Sequence, residues 1–323
     1  MKALFMGTPD FAAVCMTALI ADGENIAAVV TQPDKPVGRG MRLTPSPVKV
    51  AALERDIPVY QPETLKDGAF ADTLSEIDPD VIYVAAYGKI LPEYVLSYPK
   101  YGCINAHASI LPKYRGAAPI QRAIMDGESE TGVTAMMMER GLDTGDMIFC
   151  ERVAITDEDD FETVHDKLCV AGGAALCRVA QILRSGEALP HTKQDDALST
   201  YAEKITSDDT KINFSENAER LARRIRALSP VPLCRTTTKD GRGLKIVRAH
   251  VCKDAAVPPE TPVGQVIALD SDGDGAIVVK AGDGAVAITS LRPEGKGTMS
   301  AADFIRGRRI EIGDVLGCDS ANA

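Results

Sequence analysis

Most of the short signatures that announce a catalytic class are missing from this chain. It has no G-x-G-x-x-G run and no G-x-x-x-x-G-K-[ST] loop, so a nicotinamide-dependent enzyme and a P-loop phosphotransferase are both disfavoured. It has no H-E-x-x-H, no Cys/His zinc spacing, and its four histidines are scattered; nothing calls for a metal. No two of its eight cysteines (15, 103, 150, 169, 177, 234, 252 and 318) are spaced C-x-x-C. Most fall in apolar surroundings, the pattern of buried thiols in a reducing compartment rather than of a disulfide frame. The opening MKALFMGTPD is too poor in apolar residues for a signal peptide, and no run comes near the ~20 apolar residues of a membrane span. Internal repeats and low-complexity tracts are absent. The expectation is a cytoplasmic protein, off the membrane and monomeric.

What is present is the composition of an ordinary globular protein, 45% hydrophobic and 25% charged over 323 residues, with room for two domains. The net charge of −10 argues against wholesale coating of nucleic acid, but it is unevenly spread. Residues 1–205 carry 19 basic against 30 acidic side chains, residues 206–323 carry 17 against 16, and 220–253 hold ten bases and one acid. An acidic body with a locally basic appendage can meet a polyanion at one place.

Hydrophobic patterning predicts strands at 2–6, 26–31, 80–85 and 102–104, with helices at 11–21, 47–55 and 67–77 between them. Two further strands follow at 131–138 and 147–153, then a long helix at 160–184. Continuous β-branched strands alternating with helices imply a mostly parallel sheet with right-handed crossovers. The alternation stops in a polar segment, 190–207. Beyond it the sequence predicts an amphipathic helix at 215–228, short strands at 244–251, 264–269, 276–280 and 285–291, and a helix at 300–306. Gly-Asp turns between the later strands suggest a small antiparallel barrel. One of them, Asp270-Ser271-Asp272-Gly273-Asp274-Gly275, imitates half of a calcium loop. Position twelve is Ala281 where a Glu is required, so a tight turn is the reading.

Asn105 and His107 stand two residues apart after the 102–104 strand, and in extended backbone such neighbours share a side. Gly141-Leu142-Asp143-Thr144-Gly145-Asp146 adds a carboxylate on a glycine-flanked loop. An amide, an imidazole and a carboxylate suit the addition of an amine to a carbonyl carbon: two donors for the developing oxyanion and one acceptor for the amine proton. From the residues alone, Asp143 reads equally as a turn former and His107 as a structural histidine. Residues 32–47, rich in Pro, Gly and cations, form a long loop that is either a solvated excursion or a mobile basic finger. The run Arg220, Arg223, Arg224 and Arg226 is either a solvated helix face or a phosphate-binding one.

The segments MGTPDFAA, TQPDKPVGRG, PSPVK, VAAYGKILP, CINAHASILPKYRGAAPIQRAI, ETGV and GLDTGDM, in this order, and then TYAEKI, resemble the methionyl-tRNA formyltransferases. The resemblance implies a Rossmann-like formyltransferase domain (1–189), a linker (190–207) and an OB-like tRNA-binding domain (208–318). It implies transfer of the formyl group of 10-formyltetrahydrofolate to the amine of initiator methionyl-tRNA, for translation initiation. By motif, Asn105, His107 and Asp143 match the family's catalytic set. Ser109, Ile110, Leu111 and Pro112 match its folate-binding turn, with Ile110 in place of Leu and Ala108 where some members have Gly. Tyr87, Gly88, Ile90 and Leu91 would line the folate pocket. Lys35, Arg39 and Arg42 would engage the acceptor end of the tRNA, and the stretches 220–226 (Arg220, Arg223, Arg224 and Arg226) and 239–248 its phosphates farther away. Two other readings stand beside this one: a folate-dependent formyltransferase acting on a small amine, and a non-catalytic RNA-binding protein on an enzyme fold.

Overall fold

The computed structural model describes residues 1–37, 41–253 and 257–317; Arg39 and Cys318 lie outside them. The chain forms two compact units, one built from Met1–Pro119, Glu130–Ala154 and His165–Glu203, the other from 120–129, 155–164 and the chain from Lys204 onward.

In chain order the elements are β1 (Lys2–Gly7), α1 (Asp10–Ala21), β2 (Asn25–Val30), β3 (Lys35–Val37), β4 (Arg42–Thr44), α2 (Pro47–Leu53), β5 (Val59–Tyr60), α3 (Ala71–Ile77), β6 (Val81–Ala85) and α4 (Glu93–Leu96). There follow β7 (Cys103–His107), β8 (Arg115–Gly116), α5 (Pro119–Asp126), β9 (Glu130–Met137), β10 (Met147–Ala154), α6 (Phe161–Ser185) and β11 (Tyr201–Ala202). The first unit holds a seven-stranded sheet in the order β10-β9-β7-β6-β1-β2-β5. Its β5-β2-β1-β6-β7 part is parallel, and β9 and β10 are antiparallel. The chain leaves β1 to build one side of the sheet, β2 then β5, and returns to build the other from β6. The carboxyl ends of β1 and β6 therefore flank a topological switch point, where open α/β sheets bind ligands. Thr8, just past β1, donates its hydroxyl to the carbonyl of Tyr87, just past β6, at 3.2 Å.

Three predicted elements came out differently. The 102–104 strand starts at Cys103 and runs on to His107, because β9 pairs along it as far as His107↔Thr134. The supposed loop 32–47 contains the hairpin of β3 and β4 and ends on the capped start of α2, where Ser46 Oγ accepts from the Lys49 N–H at 3.1 Å. Also, α6 is long and apolar enough, by length and composition, to cross a membrane, although no such stretch was anticipated. Its window is 56% buried inside the protein, and a Cβ on Gly172 would fall 2.9 Å from Cys15 Sγ and one on Gly173 2.8 Å from Ala18 Cβ. Those two glycines let α6 seat closely on α1, as a core helix does.

In the second unit, α7 (Ala218–Ala227) precedes β12 (Cys234–Thr237), β13 (Gly243–Val251), β14 (Val266–Asp270), β15 (Ala276–Lys280), β16 (Ala285–Pro293), β17 (Met299–Ser300) and α8 (Ala301–Arg306). The strands make one antiparallel sheet, β12-β13-β16-β15-β14, with β17 on β16; among the described residues no pairing joins β12 to β14. Asn217 Oδ1 caps α7 by accepting from the Arg220 N–H at 2.7 Å. The helix then buries Leu221 and Ile225, four apart on one face, against Leu244, Ile246, Val286 and Ile288 of the sheet. The segment 190–207 is held down at both ends: Thr192 exchanges two backbone hydrogen bonds with Met147, each 2.9 Å, and β11 pairs in parallel with β8.

Candidate active site

β7 delivers Asn105 and His107 to one side of the sheet's end. Among the described residues no hydrogen bond engages the Asn105 side chain, which is half-buried. His107 is buried, with Nε2 hydrogen-bonded and Nδ1 facing a carboxylate. Its Nε2 lies 2.8 Å from the Tyr114 carbonyl oxygen; a carbonyl only accepts, so Nε2 carries the proton of that bond. Its Nδ1 faces Asp143 Oδ2 at 3.6 Å, too far for a hydrogen bond in itself. With Nδ1 bare, two acceptors would face one another. A proton on Nδ1 would lie between the carboxylate and whatever enters beside it.

Asp143 is fixed by its backbone as much as by its charge. Its φ is +52°, and its Oδ2 accepts from the Gly116 N–H at 2.9 Å. Gln194 donates to the Asp143 and Gly145 carbonyls, each at 2.8 Å, and accepts from Arg115 Nε at 2.9 Å. Arg115 in turn pairs with Asp196 at 2.8 Å. On the other arm, Tyr114 sits at φ +60°, and its N–H donates to Thr200 Oγ1 at 2.8 Å. Gln194, Thr200, Gly116 and the Tyr114 carbonyl escaped the sequence reading. Tyr114, Gly116 and Thr200 lie in segments that carry the family resemblance, but no role is read for them, and 190–207 as a whole reads as a linker.

The predicted folate-binding residues divide by exposure. Ser109 is wholly buried and donates its hydroxyl to the Lys113 carbonyl at 2.7 Å, while Thr134 Oγ1 bridges the Ser109 carbonyl and the Leu111 N–H. Ser109 and Leu111 thus build the turn from inside, leaving Ile110 and Pro112 half-exposed. Tyr87 and Leu91 are buried in the core of β1 and β6, and burial, with Tyr94 nearby, pushes the Tyr87 phenol up to about 12. Gly88 and Ile90 are the outward members, Ile90 being 90% exposed. An apolar side chain this open, at the carboxyl end of β6, is suited to lie against a flat ring.

The predicted cations also divide. Lys35 and Arg42 are exposed on the β3–β4 hairpin. The α7 arginines already have carboxylates: Arg224 with Glu216 at 2.9 Å, Arg220 with Glu216 at 3.6 Å and Arg223 with Glu219 at 3.3 Å. Arg226 is spent on the carbonyls of Thr156 and Asp159. Lys245 and Arg248, from the other predicted cationic stretch, 239–248, belong to a basic surface on the outer face of the sheet. Arg235 of β12 is directly opposite Lys245 of β13, which is directly opposite Arg292 of β16, and exposed Arg248 lies along β13 from Lys245. Like charges paired across strands repel, and among the described residues neither Lys245 nor Arg248 has a carboxylate partner. In the first unit, His165, Asp166 and Cys169 cluster, but Cys169 Sγ is 3.7 and 3.8 Å from the two ring nitrogens. A sulfur so nearly equidistant sits over the ring rather than beside one lone pair, which is not how two ligands share a metal.

A formyl transferase model matches residues 1–180 and a formyl transferase C-terminal domain model residues 204–309; the chain belongs to the formyl transferase family. Among its relatives, the methionyl-tRNA formyltransferase of Pelotomaculum thermopropionicum is 47% identical over 319 residues, covering 98% of this chain and 99% of the relative. The methionyl-tRNA formyltransferase of Neisseria meningitidis serogroup C is 47% identical over 317 residues, covering 98% and 100%. Among solved structures, an N-formyltransferase from Helicobacter canadensis in complex with folinic acid and dTDP-3-aminofucose matches with a TM-score of 0.63 at 17% identity, over 89% of this chain and 98% of that one. HypX from Aquifex aeolicus, in complex with tetrahydrofolic acid, matches with a TM-score of 0.62 at 16% identity, over 94% of this chain and 47% of that one. At such identities these two establish the fold.

Proposed function

We propose that this protein is a cytoplasmic, monomeric methionyl-tRNA formyltransferase that moves the formyl group of 10-formyltetrahydrofolate onto the amino group of initiator methionyl-tRNA. The end-to-end likeness to relatives of that name supports the choice of acceptor. The observation that carries the chemistry is the His107–Asp143 pair, 3.6 Å apart beside the unengaged amide of Asn105.

The cosubstrate supplies an activated formyl carbon. The chain supplies the rest. As the amine attacks, negative charge gathers on the formyl oxygen, and the Asn105 N–H and the His107 Nδ1–H are the donors that meet it. Preorganised donors of this kind are each worth about 3 kcal/mol. His107 cannot swing away, because its Nε2–H is anchored on Tyr114. Asp143 takes the proton released by the amine, directly or through one water; the adduct then collapses, the bond between the formyl carbon and the folate nitrogen breaks, and that proton passes to the departing nitrogen. Ile90, Gly88, Ile110 and Pro112 would line the folate side of the crevice.

For the tRNA, Lys35 and Arg42 on the hairpin, with Arg39 between them in sequence, would meet the acceptor end. The Arg235–Lys245–Arg292 row and Arg248 would meet phosphates, in preference to the paired arginines of α7. The test is formyl transfer to charged initiator tRNA, with free methionine and an amino-sugar nucleotide as competing acceptors. Transfer to Met-tRNA alone is the expected result; transfer to the sugar nucleotide instead would replace this reading by that of a small-amine formyltransferase.

A further inference from the structure

We infer that residues 192–202 act as a strap that sets the spacing between the two arms of the site, with Gln194 and Thr200 as its positioning residues. This rests on the proposed roles of His107 and Asp143. The two arms come from separate loops, and the strap is bound to both. Gln194 donates to the Asp143 and Gly145 carbonyls at 2.8 Å each and accepts from Arg115 at 2.9 Å, which engages both amide hydrogens and the amide oxygen. Asp143 stands at φ +52°, a conformation that side-chain-bearing residues hold only when their surroundings dictate it; a donor on its own carbonyl is such a dictate. Six positions on, Thr200 accepts from the N–H of Tyr114 at 2.8 Å, and Tyr114, at φ +60°, presents the carbonyl that anchors His107 Nε2 at 2.8 Å.

Between these arms, the backbone of the strap pairs with β8. Arg115 N–H donates to the Thr200 carbonyl and Ala117 N–H to the Ala202 carbonyl, each at 2.9 Å, so Gly116, whose N–H meets Asp143 Oδ2 at 2.9 Å, is held from behind. The distance from Asp143 to His107 is thereby tied to the length of one short piece of chain. Neither Gln194 nor Thr200 touches the crevice through a group of its own that could react. Both act through the carboxylate and the imidazole.

The experiment uses the full chain with Gln194→Glu, Thr200→Val and Thr200→Ser. Gln194→Glu keeps size and the Arg115 contact but cannot donate to the two carbonyls. Thr200→Val keeps shape without the acceptor oxygen, and Thr200→Ser restores it. Loosening a reacting group by about 1 Å costs on the order of 100-fold in rate. The expected result is therefore kcat lower by at least ~10-fold in the Glu and Val variants, KM for Met-tRNA and for folate within about twofold, and most of the rate recovered in the Ser variant. The His107 imidazole nitrogens, followed by NMR, should shift in the Glu and Val variants whether or not turnover is measured, since their partners move. Unchanged kcat with unchanged imidazole signals, or a loss confined to thermal stability, overturns the strap. A wild-type protein that transfers no formyl group to Met-tRNA overturns the proposed function instead, and the imidazole signals then decide the strap alone.

Discussion

Tyr114, Asp143 and Gly116 sit within one hydrogen-bonded circuit, and all three have positive φ, at +60°, +52° and +119°. Such conformations cost non-glycine residues about 1–3 kcal/mol each, so Tyr114 and Asp143 keep them only because neighbours over-determine the geometry. Gly116 is where that circuit tolerates least: a Cβ there would fall 2.8 Å from the Ala202 carbonyl oxygen and 2.8 Å from the Tyr201 ring. Gly116→Ala should therefore lower stability by more than about 1 kcal/mol and lower kcat as well, because the N–H on Asp143 moves with the backbone; a denaturant midpoint and a rate, taken together, check both. Asn105 and His107 were legible in the sequence because i, i+2 spacing on a strand is a local fact. Gln194 was not, because its contacts with Asp143 and Gly145 cross 51 and 49 positions and are made to backbone, which leaves no mark on the partner residues' identity.

At the scale of elements, the parallel strands β1, β2, β6 and β7 could be read from continuous apolar runs, since strands covered on both faces are uniformly apolar; the two-residue β5 was too short to be read that way. The hairpin of β3 and β4 could not be read either, because its strands are three residues each, one of them with a proline, too short to carry a period. Helix α7 was legible as an amphipathic helix, and two of its ion pairs, Glu216–Arg220 and Glu219–Arg223, stand at the i, i+4 spacing that a helix brings together. The row on β12, β13 and β16 depends on register, which joins positions 235, 245 and 292 and is invisible in a linear scan. Replacing Lys245 and Arg248 with Gln should reduce the slope of log affinity for Met-tRNA against log salt by about one to two, each phosphate contact contributing just under one. Arg220→Gln and Arg224→Gln should change it less. Equal slopes for wild type and the Lys245/Arg248 double variant would remove the row from the RNA surface.

For the whole molecule, the division of labour follows from chemistry. A sheet with a switch point gathers three polar groups from β7 and a distant loop, and a strap fixes them. A second unit carries a cationic row on an otherwise acidic chain, whose net charge is −10. Formyl transfer needs the first, and an acceptor as large as a charged tRNA gives reason for the second. The most direct measurement compares wild type with Asp143→Asn in transfer from 10-formyltetrahydrofolate to initiator Met-tRNA, with the thermal midpoint recorded with and without a folate analogue. Asn at 143 can still accept from Gly116 but puts no charge beside His107 and takes up no proton. The expected result is transfer by the wild type, a loss of about 100-fold or more in kcat for the variant, and a folate-induced rise in midpoint in both, as binding to the native state requires. Undiminished transfer by Asp143→Asn, in a protein that still binds folate, would contradict the role given to the carboxylate and with it the chemistry assigned to the site.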